Sequence, residues 1–320
     1  EGGANGGLGD WQWFGPNDPP PPPAPPEFIP DIQGYTGAGQ TIVVIDDGYS
    51  DLYDQSNTVA EFDFFDDDPD AEVTKLDSHG SWVAQTAITA ASQAGIVHLK
   101  AFPNAGAVGS TAAVEEALQW VIDNGETFNV AAVNISLGAG FAEEESETAL
   151  SDEFAEIADL GILNIVAAGN SGFFVPDSVN ILAADPSVIA VAATDARDRF
   201  AGFSQRSETL TDIAAPGVDV PTVTLDGLVQ EVDGTSFAAP LVSGIAALLQ
   251  EAAEAVNGER LAEDEFLEIL RLSGRDVVGA PNDVPGYRVA DPVAAVDFFL
   301  ANAADYDDPG GTPVDAFDFA

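Results

Sequence analysis

Four short segments carry the side chains able to do chemistry. The apolar run Thr41-Ile-Val-Val-Ile45 ends abruptly in Asp46-Asp47-Gly48. Ligands of open parallel sheets gather at the carboxyl ends of strands, which places Asp46 where functional groups collect; Asp-Gly is equally ordinary turn chemistry. Asp77-Ser-His79-Gly-Ser-Trp82-Val-Ala84 sets one of only two histidines just ahead of a helical pattern, while the other, His98, lies in a strand pattern and reads as structural. Asp233-Gly-Thr-Ser236-Phe-Ala-Ala-Pro240 puts a serine at the start of an apolar helix. There it has a plain role as a cap for free backbone N–H groups, and Pro240 is tolerated because few N–H bonds are lost so early in a helix. Asn164-Ile-Val-Ala-Ala-Gly169-Asn170-Ser-Gly172 offers an amide on a glycine-rich loop. A hydroxyl, an imidazole and a carboxylate are side chains able to act as nucleophile and as proton acceptors, and an amide N–H is able to donate a hydrogen bond.

Elements of fixed geometry must bring these groups together. From residue 28 onward, short apolar runs alternate with longer amphipathic stretches, the pattern of a parallel sheet covered by helices. Strands are expected at 41–45, 96–101, 131–136, 162–167 and 188–193, and helices at 81–92, 111–124, 148–160, 236–255 and 263–273. The expected fold is α/β, a three-layer sandwich with a central, mostly parallel sheet flanked by helices.

In order along the chain, the Asp, His and Ser segments resemble the corresponding blocks of the subtilase family, whose chain order is Asp, His, Ser. The Asn170 segment is similar to that family's oxyanion block, and Gly286-Tyr-Arg-Val-Ala-Asp291 resembles its closing segment, so the likeness runs over about residues 28–300. The resemblance implies a subtilisin-like serine endopeptidase with Ser236 as nucleophile, His79 as general base, Asp46 as its orienting carboxylate and Asn170 as oxyanion donor; Asp47 stays open as an alternative orienting group. It also implies a groove that takes the peptide as a strand between Val108-Gly109-Ser110 and Ser136-Leu137-Gly138, with a first specificity pocket walled by Ala167, Ala168 and Gly169. The glycines there have an alternative role as turn residues. After His79 the family usually reads Gly-Thr-His-Val-Ala-Gly-Thr, whereas this chain reads Gly80-Ser-Trp82-Val-Ala-Gln85-Thr86, so packing around the base must differ. A binding module on the same fold, or an enzyme that passes its acyl group to an amine, keeps most of these residues and is the competing reading.

Composition narrows the setting. Asp and Glu number 55 against 9 Lys and Arg, a formal charge of −46, while 46% of residues are hydrophobic. That apolar content is too high for a disordered acidic chain, so the acid coats a folded surface. Nucleic acid and anionic membranes are excluded as partners by charge, and no apolar run has the length of a bilayer span. A surface repelling itself this strongly points to saline or halophilic conditions. The absence of cysteine fits export without establishing it, and the resemblance implies an extracellular enzyme acting on protein or peptide substrates. Residue 1 is Glu, read as a processed or cut start.

Residues 1–27 are expected to be a linker, stiffened by the proline run at 19–26; 28–300 form the catalytic domain and 301–320 an acidic polar tail, with further domains of a longer parent chain as possible neighbours. No cofactor is expected for catalysis. The acidic stretch 62–70, with Asp63, Asp66, Asp67, Asp68 and Asp70, offers hard oxygen ligands of the kind calcium takes, and family members often bind that ion structurally; the other reading is a solvated loop.

Overall fold

The computed structural model describes residues 31–50, 56–73, 78–103, 110–138, 140–224 and 228–306. Strand β1 (Thr41–Asp46) is wholly buried, and its side chains alternate between two cores. Ile42 and Val44 join one cluster and Val43 and Ile45 the other, as the two-residue period of a strand covered on both faces requires. Around it lie β2 (Thr58–Asp63), β3 (Gly95–Lys100), β4 (Val130–Ile135), β5 (Leu163–Ala167), β6 (Ile189–Thr194), β7 (Ile213–Pro216), β10 (Arg275–Asp276) and β11 (Arg288–Val289). The sheet order is β10-β11-β7-β6-β5-β4-β1-β3-β2, parallel except for the β10–β11 pair. A separate antiparallel ribbon pairs β8 (Val220–Val223) with β9 (Val229–Val232).

Helices α1 (His79–Ala90), α4 (Thr235–Val256), α5 (Glu263–Ser273) and α6 (Pro292–Asn302) fill the first core cluster, while α2 (Thr111–Asn124) and α3 (Ser151–Asp159) fill the second, so the sheet is the middle of three layers. Helix α4 is 22 residues long and apolar enough in length and composition to cross a membrane, but most of it is buried inside the fold as its central helix. Gly244 on α4 sits against α1: a Cβ there would stand 2.4 Å from the Ala87 carbonyl oxygen. Two helices carrying groups from distant parts of the sequence are thereby held in close contact.

The chain leaves β1 for β2 and β3 on one side and then passes to β4 on the other, making the carboxyl end of β1 a topological switch point. The ends of β1, β4 and β5 open onto that point.

Most expected elements are present, with shifted ends. The helix expected at 81–92 starts at His79, because Ser78 caps it through the Ser81 N–H, and the helix expected at 148–160 starts three residues later, at Ser151. The strands β2, β7 to β11 and helix α6 were not among the expected elements. Order also continues beyond residue 300: α6 runs to Asn302, a 3₁₀ turn covers Ala303–Tyr306, and the buried Tyr306 ring packs 6.1 Å from that of Phe299. An apolar contact thus fixes six residues assigned to the tail. The linker at 1–27 lies outside the described residues.

Candidate active site

Asp46 is the last residue of β1 and is buried, its carboxylate turned toward the first residue of α1. His79 Nδ1 lies 2.8 Å from Asp46 Oδ1 and 3.0 Å from Oδ2. Asp46 Oδ1 also accepts the Asp47 N–H at 2.8 Å, which fixes the carboxylate. With Nδ1 facing a carboxylate, that nitrogen carries the proton and Nε2 is left as the basic lone pair. Burial lowers the proton affinity of the imidazole, but the charge and hydrogen bond of Asp46 and the charge of Asp47 outweigh it and leave the His79 pKa above the ordinary histidine value.

Asp47 does not reach the ring. It accepts backbone N–H groups, Gly80 at 2.8 Å and His79 at 3.4 Å, at the start of α1. Gly80 is required at this contact, since a Cβ would stand 2.2 Å from the Gly48 carbonyl oxygen.

Ser236 is the second residue of α4 and half-buried. Its hydroxyl donates to the Ser136 carbonyl at 3.3 Å, and among the described residues no hydrogen bond joins it to His79. The two segments are nonetheless adjacent, with the rings of His79 and Phe237 5.6 Å apart. Catalytic hydrogen bonds in substrate-free enzymes are often loose and tighten only in the complex.

Asn170 follows β5 and is exposed. Its Oδ1 accepts both the Thr235 N–H, at 2.9 Å, and the Thr235 hydroxyl, at 3.0 Å. Both donors demand the amide oxygen, so Nδ2 is turned the other way, toward the backbone at Gly234. Gly169 N–H donates to the same Thr235 hydroxyl at 3.1 Å, completing a chain from β5 through Thr235 to Asn170. Thr235 was not singled out from sequence; its place beside the serine was the available signal.

The expected groove residues fall in several places. Ser136 follows β4 and meets Ser236, and Leu137 O accepts from Asn180 Nδ2 at 2.5 Å. Gly138 has open space where a Cβ would stand. Ala167 and Ala168 bury their side chains in opposite cores, so their backbone is what they present to the cleft. Asn180, unforeseen from sequence, also donates to Ala167 O at 3.3 Å and so ties the Leu137 segment to the Ala167 segment. Gln205 closes the space beneath Gly169, where its Oε1 would be 2.3 Å from an added Cβ. Ser110 Oγ caps α2 through the Ala113 N–H at 3.4 Å; Val108 and Gly109 lie outside the described residues.

The departures after His79 have a structural account. Gln85 meets β8, donating to Val223 O at 3.3 Å and accepting from Val223 N–H at 2.8 Å, so its amide docks the ribbon before Ser236 onto α1. Trp82 packs against the first core cluster.

The acidic stretch at 62–70 is organised by a cation of the protein itself. Lys100 Nζ bonds Asp63 and, at 3.2 Å, Asp66, while Asp63 Oδ1 accepts the N–H groups of Phe65 and Asp66. An ammonium between those carboxylates does not fit a calcium site there, and among the described residues no group of three or more His, Asp or Glu is arranged to hold a metal ion.

The family model of the subtilases, peptidase family S8, matches residues 37–267, and the chain belongs to the subtilase family. It is 33% identical over 78% of its length to a cuticle-degrading serine protease of Arthrobotrys oligospora, and 31% identical over 70% to the alkaline elastase YaB of a Bacillus species. Those alignments span 61% and 57% of the relatives' own lengths. A cold-adapted subtilisin-like serine proteinase of known structure superposes with a TM-score of 0.65 at 26% identity, covering 80% of this chain and 89% of the other.

Proposed function

We propose that this chain is an exported serine endopeptidase that hydrolyses peptide bonds through an acyl-enzyme on Ser236. The observation that carries this reading is the Asp46–His79 pair, set at the switch point of the sheet beside a serine at the start of α4. A neutral hydroxyl attacks a carbonyl poorly until a base takes its proton. His79 Nε2 removes that proton as the Ser236 hydroxyl turns from Ser136 O to the scissile carbonyl, and then delivers it to the leaving amine. Asp46 holds the tautomer and stabilises the imidazolium. The Asn170 amide donates to the oxygen on which negative charge develops. The substrate lies as a strand along Ser136-Leu137-Gly138, where Gly138 leaves room for its backbone.

Relatives named as proteases support the reading, and the formal charge of −46 suits saline surroundings. The test is labelling with a fluorescent fluorophosphonate at low and molar salt, on the parent chain and on Ser236→Ala. Labelling confined to the parent establishes an activated Ser236. No labelling of well-folded parent at either salt removes the hydrolase reading in favour of a binding module.

A further inference from the structure

The Asp46-Asp47 pair is not redundant. Both carboxylates are buried, at 2% and 3% exposure, yet they hold different parts of the same residue: Asp46 the ring of His79, Asp47 its backbone. We propose that Asp47 is a positioning residue for the base, gripping the first turn of α1 so that the His79 side chain is delivered to Asp46 and held there. The inference rests on the assignment of His79 as general base.

The grip is a network. Asp47 Oδ1 accepts from Gly80 N–H, Oδ2 from His79 N–H. Ser78 Oγ bonds Gly48 O at 3.0 Å and Asp47 Oδ1 at 3.4 Å while capping Ser81 N–H. Ser81 Oγ in turn accepts Ser50 N–H at 2.9 Å. The turn after β1 and the first turn of α1 are thus joined as one unit. The first turn of α1 has no acidic residue of its own, so Asp47 supplies the negative charge that free N–H groups and the helix dipole favour at that end.

Electrostatics adds a second effect. Among the described residues the charged groups acting on His79 are Asp46 and Asp47; the residues that α4 brings to it, Ser236 and Phe237, are uncharged, and the ammonium of Lys100 at the end of β3 is bound by Asp63 and Asp66. Asp47 therefore strengthens proton binding by the imidazole without touching it. Burial and the neighbouring Asp46 charge raise its own pKa above the ordinary carboxylate value, and the N–H groups of Gly80 and His79 and the His79 charge offset only part of that rise.

Two histidines in the chain make the test direct. His98 is buried, and burial pushes its pKa down to about 3, whereas that of His79 is raised above the ordinary histidine value, so the two imidazoles titrate apart. Imidazole NMR titration of Ser236→Ala and of Ser236→Ala with Asp47→Asn, in molar salt, reads His79 without requiring turnover. The expected result is a midpoint lower by about 0.5 to 1.5 pH units in the double variant, the range for one unit charge several ångströms away in a partly screened site. With Ser236 intact, Asp47→Asn moves the acid limb of kcat/KM the same way and lowers kcat several-fold with KM little changed. Asp47→Ser, whose single and shorter hydroxyl cannot reach both N–H groups, provides a second comparison: it lowers the midpoint as Asn does and loses more of kcat. A His79 midpoint within about 0.2 units of the parent in both variants, at unchanged melting temperature, overturns the proposal. Absence of hydrolysis by the parent enzyme would instead count against the peptidase reading, and the NMR titration still decides the role of Asp47.

Discussion

Ser136 and Ser236 exchange hydrogen bonds across the junction of β4 and α4. Ser136 Oγ donates to the Ser236 carbonyl at 2.9 Å, and Ser236 Oγ donates to the Ser136 carbonyl at 3.3 Å. The first bond exists because of Pro240. A helix bonds each N–H to the carbonyl four residues earlier, and Pro240, which lacks an N–H, leaves the Ser236 carbonyl without its helical partner. Ser136 fills that vacancy from the neighbouring strand, and Asn134 Nδ2 orients the same hydroxyl at 2.9 Å.

Ser136→Ala is expected to cost about 1 kcal/mol of stability, the net worth of one neutral hydrogen bond, and to lower kcat several-fold because the start of α4 loses a fixed point. Pro240→Ala restores an N–H able to bond the Ser236 carbonyl. The double-mutant cycle, read by denaturant unfolding, therefore shows a smaller cost of Ser136→Ala in the Pro240→Ala background. Equal costs in both backgrounds would mean that the two residues do not serve the same carbonyl.

Asn170→Ala is expected to lower kcat about 10²- to 10³-fold with little change in KM, a magnitude known from this family rather than read from this chain. Thr235→Val keeps the backbone donor to Asn170 Oδ1 but removes the hydroxyl that links it to Gly169. Its expected loss is about tenfold in kcat, the effect of a loosened rather than a missing donor. Steady-state kinetics on one peptide substrate checks both, and a Thr235→Val enzyme with parental kcat would show that the backbone bond alone fixes the amide.

The residues of the candidate site were legible because they sit in short contiguous blocks at strand ends and helix starts: Asp46 after an all-apolar run, Ser236 before one. The central strands were legible for the same reason, being buried on both faces. What was hidden depends on contacts between distant segments. β2 (Thr58–Asp63) is half-exposed at the sheet edge and carries Glu61 and Asp63, so its composition does not read as a strand. Its Asp63 is explained only by Lys100, 37 residues away. Gln85 looked like a disturbance beside the base until the strand it meets, 138 residues on, was known. Asp47 looked like a rival to Asp46 because sequence gives two adjacent carboxylates and no direction for either side chain.

His98 gives a signed pH prediction. It is buried, stacks on Tyr49 with ring centroids 4.4 Å apart, and has a pKa pushed down to about 3 by burial, against an unfolded value near 6.5. Between those values the unfolded chain binds more protons than the folded one, so stability from this group is present above about pH 6.5 and lost as pH falls toward 3, at up to roughly 1.4 kcal/mol per unit. Glu263 acts oppositely: burial raises it from 4.5 to about 7, so its contribution falls as pH rises through that window and masks part of the His98 effect. His98→Phe keeps an aromatic partner for Tyr49 and removes the proton site. The stability difference between parent and variant, from guanidinium unfolding at several pH values, should shift against the parent on acidification below about pH 6.5; parallel curves would show that His98 is not buried neutral.

Salt separates the two kinds of charge interaction in the molecule. The formal charge is −46, and several of the few basic side chains are already engaged in pairs such as Arg271–Asp212 and Arg275–Asp198. The remaining carboxylates face one another across solvent, where the screening length falls from about 10 Å at 0.1 M to about 3 Å at 1 M. The melting temperature of the parent is therefore expected to rise with salt. Lys100 and Asp63 differ, with side chains only 7% and 2% exposed, because added ions do not reach between them. Lys100→Met leaves a buried carboxylate without its cation and is expected to cost about 3–5 kcal/mol. That cost should be nearly the same at low and molar salt, since it is a loss of desolvated pairing rather than of screened attraction. Thermal unfolding of both chains across a salt series distinguishes the contributions: two rising, parallel curves are expected, whereas a gap that closes at high salt would place the Lys100 pair among the solvent-screened surface charges.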